Sequence, residues 1–200
     1  VLILLLIISL TIGNQVSSTV FMGLVAYFVL NLGYTFGLKN VAILDVSIIA
    51  IGFVLRVLVG GWAANVLVSH WIVITTFLLA LILALSKRRA ELNLLGNAEV
   101  GRKSLQGYNE VFLDLGLVLF SAVTIVSYII YCVSEDVMTR LDSQYIYLTS
   151  FFVIIGFARY LQQIIVHRSV LGPVKMILID RFLQVTVLAW AASFIYILYF

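Results

Sequence analysis

The sequence predicts an all-α protein, a polytopic bundle of transmembrane helices, and three observations carry that prediction. Hydrophobic residues make up 64% of its 200 residues and charged residues 10%, against about 25% charged in an ordinary soluble domain. The apolar residues come in runs close to the roughly 20 residues that a helix needs to cross the hydrocarbon. The short alternating segments of a membrane β-barrel are absent from the sequence.

Hydropathy and length place seven spans, at 1–12, 17–33, 42–60, 67–86, 109–133, 144–166 and 182–200. The first, "VLILLLIISL", starts at Val1 in mid-run without the basic region or cleavage site of a signal peptide, so the chain is expected to begin inside a longer protein. The second to sixth are separated by short polar or charged loops. Gly172 before Pro173 in "LGPVK" reads as a turn ahead of the seventh, whose Trp190, Tyr196 and Tyr199 suit interfacial positions. Cys132, the one cysteine, lies in an apolar run and reads as a small buried hydrophobe, which excludes an internal disulfide and a multi-cysteine zinc site.

The net charge of +3 says less than its placement. Loops after the even spans hold Lys39, then Lys87, Arg88, Arg89, Arg102 and Lys103, then Arg168, Lys175 and Arg181; loops after the odd spans hold only Arg140. Lys and Arg in short loops favour the cytoplasmic side, so the even loops are expected there and the chain is expected in the inner (plasma) membrane, multi-pass. Anchoring to anionic lipid is the expectation for Arg102, Lys103, Lys175 and Arg140. "KRRAE", with three consecutive cations before Glu91, reads instead as an anion site, since the planar fork of Arg matches phosphate oxygens.

Charges inside the spans are costly and face a bundle interior or wet cavity. Asp45 and Arg56, eleven residues apart in the third span, return to one helix face about 16 Å apart along the axis. A polar cavity opening to the cytoplasm is expected to take both. Asp114 and Arg159 are expected to pair between the fifth and sixth spans, and Glu110, one turn before Asp114, offers a second acidic partner or a metal ligand. His70 suits an interfacial position, and His167 suits an inner-leaflet headgroup contact or a catalytic part equally. Zinc-peptidase, esterase and phosphate-loop motifs are absent from the sequence, and no nucleic-acid partner is expected.

At "NLGYTFGLKNVAILDVSIIAIGFVLRVLVGG" (31–61) the chain resembles the UbiA-type intramembrane prenyltransferase superfamily, and within it the polyprenyl-phosphate phosphoribosyltransferases. "SKRRAELNLLGNAEVGRKSLQGYNEVFLD", "GFARYLQQIIVHRS" and "GPVKMILIDRFLQVTVLAW" follow in the order of that branch. The resemblance implies a nine-helix bundle around a cytoplasm-facing cavity, with the seven spans here as its third to ninth. On that reading residues 1–200 form a single domain lacking the first two helices and the first Asp-rich motif, and the fragment alone would be inactive.

The activity implied is transfer of 5-phosphoribosyl from phosphoribosyl diphosphate to a long-chain polyprenyl phosphate, with Mg2+ as cofactor and diphosphate released, on a path to cell-wall or other glycolipids. The resemblance gives Tyr34, Lys39 and Asp45 to the catalytic site, with Asp45 near the metal. It gives Arg56, Lys87, Arg88, Arg89, Glu91, Arg159, Tyr160, Arg168 and Arg181 to substrate binding, and Asp180 lies near the same mouth. "KRRAE" stands where aromatic-acceptor prenyltransferases carry a second Asp-rich motif, and its basic character favours a further phosphate over a second metal. Prenyl transfer to an aromatic or other small acceptor is the alternative, an anion transporter a more distant one. A homo-oligomer is compatible with the sequence.

Overall fold

A computed structural model describes residues 2–95 and 103–199. Described residues form helices and connecting turns without strands. The long helices are α1 (Leu2–Val16), α2 (Ser18–Phe36), α3 (Leu44–Ala63), α4 (His70–Leu95), α5 (Glu110–Val133), α7 (Ser150–Leu161) and α9 (Arg181–Tyr199), with two short ones, α6 (Glu135–Leu141) and α8 (Pro173–Ile179). Each predicted span therefore meets a helix. Among the described residues five helical segments are long and apolar enough to cross a membrane, or six if the bent pair α8 and α9 counts as one. Large apolar side chains such as Phe36, Leu67 and Leu188 lie at the surface, as expected where lipid takes the place of water. This is a multi-pass membrane protein.

Three departures from the predicted spans matter. At 15 residues α1 is short for a crossing. α4 does not stop at 86 but runs to Leu95, so "KRRAE" is helical rather than part of a loop. Ahead of the last span, α8 meets α9 at 85° across Asp180, two residues before the predicted start at 182. The segment 96–102, with Arg102, lies outside the described residues.

The chain divides into two compact units, Val1–Leu81 with Arg102–Gly107, and Ile82–Gly101 with Tyr108–Phe200. In the first, α2 packs on α1 and α3. Ser17 caps α2 by accepting the Val20 N–H at 3.1 Å. A Cβ on Gly23 would stand 2.5 Å from Val59 Cγ2 and 2.9 Å from the Trp62 ring, so α2 and α3 approach as only glycine permits.

In the second unit α7 packs against α5 and α9. The Tyr128 hydroxyl joins Thr149 Oγ1 at 2.8 Å and accepts Trp190 Nε1–H at 2.9 Å, tying α5, the turn Ile146–Thr149 and α9 together. Trp190 thus spends its indole N–H inside the protein rather than at the interface expected for it. Cys132 is buried beside this network, as its apolar run predicts.

Candidate functional site

In the first unit the residues of interest gather where α2 gives way to α3. Tyr34 is half-buried near the end of α2, and Lys39, also half-buried, sits in the single 3-10 turn Leu38–Asn40. That turn packs on α2, on α3 and on the turn Lys103–Gly107. A Cβ on Gly107 would fall 2.5 Å from Ala42 Cβ, so glycine alone allows this approach.

Ile43 then takes φ 70°, a left-handed conformation that a β-branched residue rarely adopts, and α3 begins. Strain of this kind persists where the surroundings fix it. Two residues on, Asp45 is fully buried in the first turn of α3 and its Oδ1 accepts the Val46 N–H at 2.9 Å. The partial positive charge of a helix N-terminus favours a carboxylate there.

Arg56, deeper along α3, is exposed rather than buried with Asp45, so the shared polar cavity expected for the two is not how this unit accommodates them. Its Nε donates to the Tyr27 hydroxyl at 3.0 Å, its Nη2 donates to the same oxygen, and its guanidinium carbon lies 5.1 Å and 5.0 Å from the ring centres of Tyr27 and Phe53. Aromatic faces attract the cation without neutralising it.

In the second unit, the consecutive cations of α4 point in different directions, as successive helical residues must at about 100° each. Lys87 is exposed, whereas Arg88 and Arg89 are each 1% exposed. Arg88 Nη1 meets Glu91 Oε2 one turn along. Arg89 turns to α5: its Nε donates to Asp114 Oδ1 at 2.8 Å and its Nη2 to Glu110 Oε2 at 3.1 Å, while Nη1 donates to Asn93 Oδ1. The expected Asp114–Arg159 pair is therefore corrected. Asp114 belongs to Arg89, and Glu110 is the second acidic partner that its i, i+4 spacing offered.

Arg159 has a different carboxylate. Its Nη2 and Nε donate to Asp180 Oδ2 at 2.8 and 3.1 Å, Gln163 Nε2 donates to the same oxygen at 2.6 Å, and Asp180 Oδ1 caps α9 by accepting the Leu183 N–H at 2.9 Å. Asp180 lies between α8 and α9, outside both helices. The Arg159 hydrogen bond, reinforced by the Leu183 N–H, holds its carboxyl below the usual carboxylate range against the opposing effect of burial. Tyr160, the next residue of α7, is buried, whereas Arg168 and Arg181 are exposed.

After α7 the chain takes one π-helical turn, Gln162–Val166, and then turns left-handed at Arg168, φ 46°. Leu92, Asn93, Tyr108, Asn109, Glu110, Arg168 and Val170 line a cavity of about 510 Å³. Asn109 fixes its α5 wall by accepting the Phe112 N–H at 2.7 Å as N-cap. Asn93 and Asn109 escaped the sequence reading. Asn93 would have shown itself four residues after Arg89 had α4 been carried past 86, because i and i+4 share a helix face.

Among the described residues no three His, Cys, Asp or Glu side chains group as a metal site. Mg2+ commonly takes only one or two carboxylates and completes its shell with substrate phosphates and water. Asp45, a hard oxygen ligand, fits that set as a single member.

No family model matches the chain. Curated proteins do. The decaprenyl-phosphate phosphoribosyltransferase of Mycolicibacterium smegmatis is 31% identical over 98% of this chain and 64% of its own length. Those of Corynebacterium glutamicum and Mycobacterium tuberculosis are 27% identical, over 86% and 85% of this chain and 52% and 55% of theirs. The chain is a relative of these phosphoribosyltransferases. That kinship supports the UbiA-type branch whose motifs it resembles, and the chain spans between about half and two thirds of these relatives' length.

Proposed function

We propose that the complete protein transfers 5-phosphoribosyl from phosphoribosyl diphosphate to a long-chain polyprenyl phosphate and releases diphosphate, at the cytoplasmic face of the inner membrane. One observation carries this reading: similarity to decaprenyl-phosphate phosphoribosyltransferases runs through 98% of the chain. The cations support it. A sugar bearing a 5-phosphate and a 1-diphosphate needs several cationic donors, and a lipid phosphate is already an ionised nucleophile that needs no strong base.

We divide these cations by the partners that each one meets. Arg88, Arg89 and Arg159 meet protein carboxylates, so we give them the part of ordering the site. Lys87, Arg168 and Arg181 are exposed and suit phosphate oxygens, and Arg56 keeps its charge among neutral partners. Tyr34 and Lys39 border the strained turn before Asp45 and suit the sugar diphosphate. Mg2+, when held by Asp45 and substrate phosphates, would neutralise the leaving diphosphate.

The test uses the complete protein in detergent with Mg2+, labelled phosphoribosyl diphosphate and a polyprenyl phosphate. Label entering the organic phase, dependent on both Mg2+ and the lipid phosphate, is the expected result. Failure across several lipid lengths, together with prenyl transfer from an isoprenyl diphosphate to a small acceptor, would move the protein to the other activity of the superfamily.

A further inference from the structure

Near the end of α4, Asn93 has both sides of its carboxamide in use. Its Oδ1 accepts from Arg89 Nη1, and its Nδ2 donates to the backbone oxygen of Arg168 at 3.3 Å. The orientation is fixed chemically, since a flipped amide would set its N–H groups against a guanidinium that only donates. Upstream, Arg89 is immobilised by two carboxylates. Downstream, the chain at Arg168 holds a left-handed conformation that residues other than glycine enter at a cost.

Besides Asn93, two backbone bonds brace the flanks of that turn, His167 N–H to Gln162 O and Ser169 N–H to Gln163 O, each at 3.1 Å. Arg168 itself lines the cavity that Asn93, Asn109 and Glu110 share. An ion cluster around the buried Arg89 is thus joined by a single carboxamide to a strained turn bearing an exposed cation.

We propose that Asn93 is a positioning residue: it transmits the fixed orientation of Arg89 to the turn at Arg168 and so aims the Arg168 side chain at a phosphate of the anionic substrate. This rests on the anion-binding part given to Arg168 above. The two functions of the carboxamide are separable. Asn93→Asp keeps an oxygen for Arg89 and removes the N–H that holds Arg168 O, whereas Asn93→Ala removes both.

In the complete protein, Asn93→Asp should keep or raise the unfolding temperature. It should also speed tryptic cleavage after Arg168, read by mass spectrometry, by about threefold or more as the turn opens. KM for phosphoribosyl diphosphate should rise about fivefold with kcat within about twofold, the pattern of lost uniform binding. In an Arg168→Ala background the same substitution should leave KM where Arg168→Ala alone put it. Should Asn93→Asp unfold, Asn93→Ala carries the same expected KM shift and the same loss of it in that background.

An equal KM rise with and without the Arg168 side chain would overturn the proposal, as would unchanged cleavage and unchanged KM. A normal KM in Arg168→Ala would remove the anion-binding part and the inference together. Absence of pentosyl transfer in the wild type would instead strike the proposed activity. Cleavage after Arg168 would then decide the inference, and an unaltered rate would overturn it.

Discussion

Arg56 and Arg89 solve one problem in opposite ways. Both are guanidinium groups in helices long and apolar enough to cross a membrane. Arg89 is 1% exposed and faces Asp114, Glu110 and Asn93, so its charge is matched within the protein. Arg56 is exposed and rests on the Tyr27 hydroxyl and two aromatic faces, none of which carries a negative charge. A guanidinium held by carboxylates is a structural fastener, because an incoming phosphate would have to displace them. One held by neutral groups keeps its attraction for an anion. Residue type and span position do not separate the two; the partners do.

The largest effect should come from breaking the matched case. Asp114→Ala leaves Arg89 with Glu110 as its one carboxylate among these two and should cost about 1–3 kcal/mol of stability, measured by thermal unfolding of the complete protein in detergent. Arg89→Met with Asp114→Leu should recover most of that loss, since replacing both ions removes the uncompensated charge. A double variant as unstable as Asp114→Ala would mean that Arg89 is held by something other than this pairing.

The unmatched case should behave the other way round. Arg56→Met should leave the unfolding temperature nearly unchanged yet lower kcat/KM for pentosyl transfer about tenfold or more, roughly 1.4 kcal/mol of transition-state binding. Normal turnover in that variant would remove Arg56 from the anion-binding set. Tyr27→Phe tests the support more gently. The ring face survives and one hydroxyl acceptor is lost, which should cost about 1 kcal/mol of stability.

Arg159 stands between these extremes, paired to Asp180 but with its side chain 29% exposed. Because the Asp180 carboxyl titrates below its ordinary value of 3.8, its contribution to stability is complete above that value and is lost as pH falls through the lowered one. The wild type should therefore lose slightly more stability than Asp180→Asn on acid titration through that window, followed by thermal unfolding. Parallel curves would show that the pair contributes nothing.

The positions of the spans were legible because hydropathy is a property of the chain in one dimension. The matching of charges was not, since which carboxylate faces which arginine depends on helix rotation. Asp114 and Arg159 are both intramembrane ions, and nothing in their spacing shows that each has another partner. The end of α4 was missed because cations at 87–89 suggested a loop, although Leu92, Leu94 and Leu95 continue the apolar pattern around buried arginines. The bend at Asp180 contains neither glycine nor proline. An Asp one residue short of an apolar run is nonetheless an N-cap signal, and the Leu183 N–H confirms it. For the candidate site the motifs supplied the residues to consider, whereas the Arg89–Asn93–Arg168 chain needed the helix to be extended first.

The π-helical turn at Gln162–Val166 gives α7 something akin to a spare link. A wide turn of this kind is what a helix does with one residue more than its α-helical count allows. Rewinding the same residues as regular α-helix would swing everything beyond them by about 100°. Arg168 would face another way, and the carbonyl that Asn93 holds would go with it. The winding of this segment, as much as its chemistry, sets the direction in which the cation points.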